Sequence, residues 1–160
     1  MIFDSNQCSP RFLKILAERG DGFQKQLLDV VNAAFQVPSL VQFIIIEPLG
    51  PTEATIFITG LPREQGNPHN TNMDVKFNEH GRPSTINGKS FEYDPLLLEE
   101  HKVNTMLNAT FNIAAEICRK PIPHAEQITF ERNSTSNNVG VFFSNRNGGE
   151  SQGTAIPTVV

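Results

Sequence analysis

Leu40-Val41-Gln42-Phe43-Ile44-Ile45-Ile46 is β-branched and apolar on both alternating faces, the composition of a strand in the interior of a sheet. Glu47-Pro48-Leu49-Gly50-Pro51 reads as the turn after it, and Ala54-Thr55-Ile56-Phe57-Ile58-Thr59 as a second strand. A connection this short favours a hairpin, since a parallel return needs a crossover of a dozen residues or more. The fold therefore grows outward from an antiparallel pair.

Downstream, a Pro-, Gly- and Asn-rich loop is predicted from Gly60 to Asn72. Met73, Val75 and Phe77 then alternate with Asp74, Lys76 and Asn78, the period of a strand with one wet face. Glu79-His80-Gly81-Arg82-Pro83 turns the chain, Asn87-Gly88 is a tight-turn pair, and Phe91 and Tyr93 continue the alternation on a fourth strand. Asp94-Pro95 pairs a capping residue with a proline at the first helical position, opening the longest helix, which Pro121 and Pro123 stop after Arg119. Val103, Met106, Leu107, Thr110, Phe111, Ala114, Ile117 and Cys118 make its apolar stripe. Two further strands, from Gln127 to Arg132 and from Val139 to Ser144, flank a polar loop.

Upstream, Ser9-Pro10 starts a short helix that Gly20 ends. Phe23, Leu27, Val30, Val31 and Ala34 recur at helical steps in a second, which Val37-Pro38 closes. The expected fold is α+β: an antiparallel sheet of four to six strands packed against an N-terminal helix pair and one long central helix. With 160 residues the chain has length for one domain, taken as 1–144, and the Gly-, Ser- and Thr-rich stretch 145–160 is expected to be a flexible tail.

The net charge of −4 and pI near 5.5 argue against nucleic acid as partner, because that binding draws on clustered Lys and Arg. The longest apolar run, Phe43 to Ile46, is strand-sized, so no membrane span is predicted. Met1-Ile2-Phe3-Asp4-Ser5-Asn6 has neither the basic nor the apolar region of a secretory signal. The protein is expected in the cytoplasm, or exported without a cleaved signal.

Catalytic signatures for nucleotide hydrolysis, esterase and kinase chemistry are missing. Cys8 and Cys118 show no metal-binding or disulfide spacing, and His69, His80, His101 and His124 show no HxH, HxxH or HExxH step. No metal and no cofactor is predicted. Two classes of function follow. The first is a non-enzymatic protein-binding module, chaperone- or adaptor-like. The second is a small effector-type hydrolase using His69 or His80 with Glu64 or Cys118 in a loop-lined cleft, since a nucleophile needs a base within hydrogen-bond reach. Cys118 also fits a plain core residue on the apolar helix stripe, and the histidines fit solvated loops.

Asparagine is abundant, with fifteen in the chain. Most fall in turns, where Asn tolerates left-handed backbone. Asn104, Asn108 and Asn112 recur at four-residue steps on the long helix, an environment that disfavours Asn. They are either a solvated face or a surface whose amides pair with another chain. With Phe43 and Phe57 they form the expected binding set. Thr158-Val159-Val160 has the hydroxyl-x-apolar pattern captured by PDZ domains, making Thr158 and Val160 a tail motif.

Phe23-Gln24-Lys25-Gln26-Leu27-Leu28-Asp29-Val30-Val31 resembles the opening helix of class I type III secretion chaperones, and Met106-Leu107-Asn108-Ala109 resembles their dimer-side helix. The order of elements over residues 21 to 144 is similar to theirs. The resemblance implies an acidic homodimer of a bacterial secretion system, connected with virulence, that keeps an extended peptide segment of a protein partner on its surface. An extra N-terminal helix and a glycine-rich tail depart from the family pattern.

Overall fold

A computed structural model describes residues 8–35, 41–61, 69–90, 102–132, 138–145 and 152–157. Helix α1 (Pro10–Arg19) begins as expected: the Ser9 hydroxyl accepts from the Phe12 amide at 3.1 Å, and Pro10 occupies the first turn, where no backbone donor is needed. Gly20, at φ 85°, ends it and leads directly into α2 (Asp21–Ala34).

Strands β1 (Phe43–Gly50), β2 (Glu53–Leu61), β3 (His69–Phe77), β4 (Pro83–Ile86) and β5 (Lys89–Ser90) follow one another as neighbours. Asn87 and Gly88, both at positive φ, make the tight β4–β5 turn. The chain then crosses through α3 (Lys102–Arg119) to β6 (Gln127–Arg132), β7 (Asn138–Ser144) and β8 (Gln152–Pro157). The strand order is β5-β4-β3-β2-β1-β6-β7-β8, with every pairing antiparallel. Two meanders thus meet where Phe43–Ile46 of β1 pairs with Glu131–Ile128 of β6. The interior placement read from the isoleucine run is correct.

The fold class is the expected α+β with an N-terminal helix pair and a long helix, and four expectations change in detail. The sheet has eight strands among the described residues, above the expected four to six. β1 continues through Glu47 and Pro48 to Gly50, with a register shift between Pro48 and Gly50, so the hairpin turns at Pro51-Thr52 rather than at 47–51. β3 starts at His69, inside the predicted loop, because antiparallel pairing to β2 compensates for polar side chains on the wet face. The supposed tail contains β8, paired with β7 along its whole length. An edge strand needs main-chain partners rather than apolar alternation, which is why Gly- and Thr-rich sequence concealed it. Phe91, Tyr93 and the start of the long helix at Asp94-Pro95 lie outside the described residues.

The described helices share one sheet face. Ile44, Ile46, Ile56, Ile58, Val75, Ile128, Phe130, Val139, Val141 and Phe143 point into that layer and are buried. Phe143 lies between two helices: its ring stacks on Phe12 of α1 at 4.9 Å and meets Phe23 of α2 at 6.3 Å. Phe35, just after α2, lies against Phe130 at 6.5 Å, with the Arg132 guanidinium 5.6 Å from the Phe35 ring. Thr110, the one buried polar residue among the described residues, turns its hydroxyl back to the Met106 carbonyl at 2.7 Å.

Candidate functional site

The opposite sheet face has no described helix against it. Cross-strand register places Asn72, Phe57, Ile45, Thr129, Phe142 and Gly153 in one row across β3, β2, β1, β6, β7 and β8. The next row holds Thr59, Phe43, Glu131, Gly140 and Ala155. Phe43 and Phe57, both in the expected binding set, are therefore diagonal neighbours on this face. Ile45 and Phe142 extend the apolar band and went unselected, because a run apolar on both faces does not reveal which face remains open. All four are half-buried, while Leu49 at the end of β1 is 51% exposed, the one exposed large hydrophobic among the described residues.

The charges around that band are unbalanced. Glu47, Glu53, Asp74 and Glu131 belong to it by register, against Lys76. The Thr55 hydroxyl donates to the Asp74 carboxylate at 3.1 Å, tying one carboxylate to the sheet.

A second feature lies at the far end of β3. Gln26 of α2, the turns at Pro51-Thr52 and at 78–81, and Asn112, Ala115, Glu116 and Arg119 of α3 enclose a cleft of about 380 Å³. The Asn78 side-chain oxygen accepts from the backbone amides of His80 and Arg82 at 2.9 and 3.1 Å, which fixes the turn carrying His80. His80 Nε2 sits 3.4 Å from Glu79 Oε1, both largely exposed, and Glu116 pairs with Arg119 one helical turn on. Asn112 opens into this cleft, whereas Asn104 and Asn108 are half-buried further along α3. The three amides are thus not one uniform solvated ladder.

No family model matches this chain, and no curated protein or solved structure does.

The hydrolase candidates are placed only in part, since Glu64 lies outside the described residues. His69 begins β3 and His80 follows its end, so at about 3.3 Å per residue their backbones lie roughly 27 Å or more apart. Cys118 is buried on α3 and donates its thiol to the Glu53 carbonyl at 3.3 Å. Burial, with the Glu53 charge behind it, pushes that thiol from the ordinary 9.0 up to about 11, which keeps it protonated and unreactive at neutral pH. Thr158 and Val160 also lie outside the described residues. No group of three His, Cys, Asp or Glu among the described residues is arranged to hold a metal, and no described helix is long and apolar enough to cross a membrane.

The Cys118 shift has a direct consequence. A folded-state pKa above the unfolded one stabilises fully below pH 9 and loses that contribution as pH rises toward 11, because the unfolded chain ionises first. Melting temperature is expected to fall more steeply over this interval in the native protein than in Cys118→Ala, as differential scanning calorimetry would show. Parallel slopes for the two proteins would refute the assignment.

Proposed function

We propose that the chain is a non-enzymatic protein-binding module, chaperone- or adaptor-like, that holds an extended peptide segment of its partner. The observation carrying this reading is the sheet face away from the described helices, with Phe57 on β2, Phe43 and Ile45 on β1 and, beyond β6, Phe142 on β7. A purely solvated antiparallel face has no need of three aromatic rings at its centre. Aromatic anchors surrounded by a polar rim are the usual composition of a protein interface. The excess of carboxylates around the band favours a partner in which apolar residues alternate with Lys or Arg.

The element order, α2, then β1 to β5, then α3 and the β6–β7 hairpin, is similar in outline to that of class I type III secretion chaperones, from which α1, β4, β5 and β8 depart, and the resemblance is part of the same reading. That reading places the protein in the cytoplasm, or in transit without a cleaved signal, and includes a homodimer.

The test is a membrane-bound array of twelve-residue peptides probed with the native protein and with Phe43→Asp/Phe57→Asp. Retention of peptides combining apolar and basic residues, lost in the double variant while its circular dichroism is unchanged, is expected. Retention of none, or equal retention by both proteins, would refute the proposal.

A further inference from the structure

The two edges of the sheet are unlike. One ends in β5, a two-residue strand whose Lys89 and Ser90 are exposed, a short and charged edge that discourages further pairing. The other ends in β8, whose six residues, Gln152-Gly153-Thr154-Ala155-Ile156-Pro157, carry no charge and only one large apolar side chain. Its neighbour β7 is of a different kind. Val139, Val141 and Phe143 are buried, and Phe143 is stacked on α1, so β7 is held by the core whether or not anything pairs along its outer edge. β8 follows β7 in register from Asn138↔Pro157 to Phe143↔Gln152, and α1 approaches it from the helix layer.

We propose that the outer edge of β7 is a strand-binding slot, which β8 fills from the same chain and from which an extended peptide of another protein displaces it. A strand at the end of the sheet order, paired on one side only, belongs to the low-stability end of a fold, whereas β7, whose Val139, Val141 and Phe143 are in the core, opens only with it. Strand addition supplies affinity through that ladder and selectivity through alternate side-chain positions. The register defines the selectivity. Val139 and Val141, buried toward the helix layer, pair in register with Ile156 and Thr154, both β-branched residues. Gly140 and Phe142, on the other face of β7, pair with Ala155 and Gly153, both small. The Phe142 ring occupies the space above Gly140 on that face, so the position paired with Gly140 is the one where a bulky residue meets the ring. The partner is thus an uncharged extended segment that alternates β-branched with small residues. This slot borders the apolar band at Phe142, but strand pairing along β7 does not depend on that band binding anything.

The experiment uses the full chain with Thr154→Pro/Ala155→Pro. These substitutions fall on consecutive residues, so whichever set of β8 amides faces β7 loses a donor. The probe is a fluorescent peptide of residues 151 to 158, followed by anisotropy. The proline variant is expected to bind it about tenfold or more tighter than the native protein, in which β8 competes. The same peptide carrying Phe in place of the residue at 155 is expected to bind about tenfold more weakly. Equal binding to both proteins, or no binding to a folded variant, would overturn the proposal. Hydrogen exchange on the native chain gives a second reading independent of the variant: β8 amides are expected to exchange roughly a hundredfold faster than those of Val139 to Phe143, and equal protection would overturn it too.

Discussion

Replacing Phe143 with alanine is expected to destabilise the protein by about 3–5 kcal/mol, the range for removing a fully buried phenylalanine. The cost falls at the top of what single substitutions do because the ring joins three elements: β7 carries it, α1 stacks Phe12 on it, and α2 brings Phe23 to its side. The cavity left behind cannot close easily, since Phe12 is itself fully buried and its helix is anchored at both ends. Arg11 donates to the Pro123 carbonyl at 2.8 Å, and Arg19 donates to the Lys120 carbonyl. At a few degrees per kcal/mol for a chain of this size, the melting temperature should drop by roughly 10 °C. Phe57→Ala is the control, because that ring is half-buried on the open face and its loss should cost less than half as much. A Phe143→Ala protein within about 1 kcal/mol of native by urea denaturation would show that α1 and α2 do not rest on β7 as described.

Gly140→Val should destabilise by about 2 kcal/mol, against the ordinary trend for a strand. Glycine weakens a strand interior and valine suits it, so by propensity alone the change would gain up to about 1 kcal/mol. Here a Cβ would stand 2.4 and 2.7 Å from Cε2 and Cζ of Phe142, whose ring lies back over the glycine. Either the ring leaves the sheet and exposes its area, or the strand distorts. The collision wins over the propensity. It follows that the sign reverses once the ring is gone: with Phe142→Ala as background, Gly140→Val is expected to be neutral or stabilising. A double-mutant cycle by urea denaturation measures this coupling, and additive effects would refute the contact.

Much of the architecture was legible because it rests on local chemistry. Ser9-Pro10, Gly20 and Asn87-Gly88 act through φ and capping at their own positions, and the isoleucines of β1 state their own burial. What escaped was whatever depends on a partner strand. β8 is a strand because β7 presents an edge to it, and His69 joins β3 because Leu61 lies opposite. The candidate surface was half-legible. Phe43 and Phe57 were selected as apolar residues on strands, but their company with Ile45 and Phe142 comes from the β1–β6 junction, which no short-range pattern announces. Asn112 and His80 were singled out for unrelated reasons and share one cleft, because α3 crosses the end of the sheet where the β3–β4 turn emerges. For Cys118 the apolar stripe of the helix fits both a core residue and a nucleophile, and burial with the thiol against the Glu53 carbonyl favours the first.

The junction of the two meanders bears on how the chain acquires its shape during synthesis. The first meander and its helices leave the ribosome early, but their apolar faces wait for β6 and β7. Arg11 finds its carbonyl 112 residues later, and Arg132 reaches back 91 residues to Val41. Such distant closures are entropically costly and slow. A nascent chain halted before β7 would carry Phe12 and Phe23 without the Phe143 ring that both meet in the folded protein. The long-range closures of the fold thus run through the stretch from Gln127 to Ser144, and slow codons or stalled translation ahead of it should raise aggregation more than the same delay placed after it.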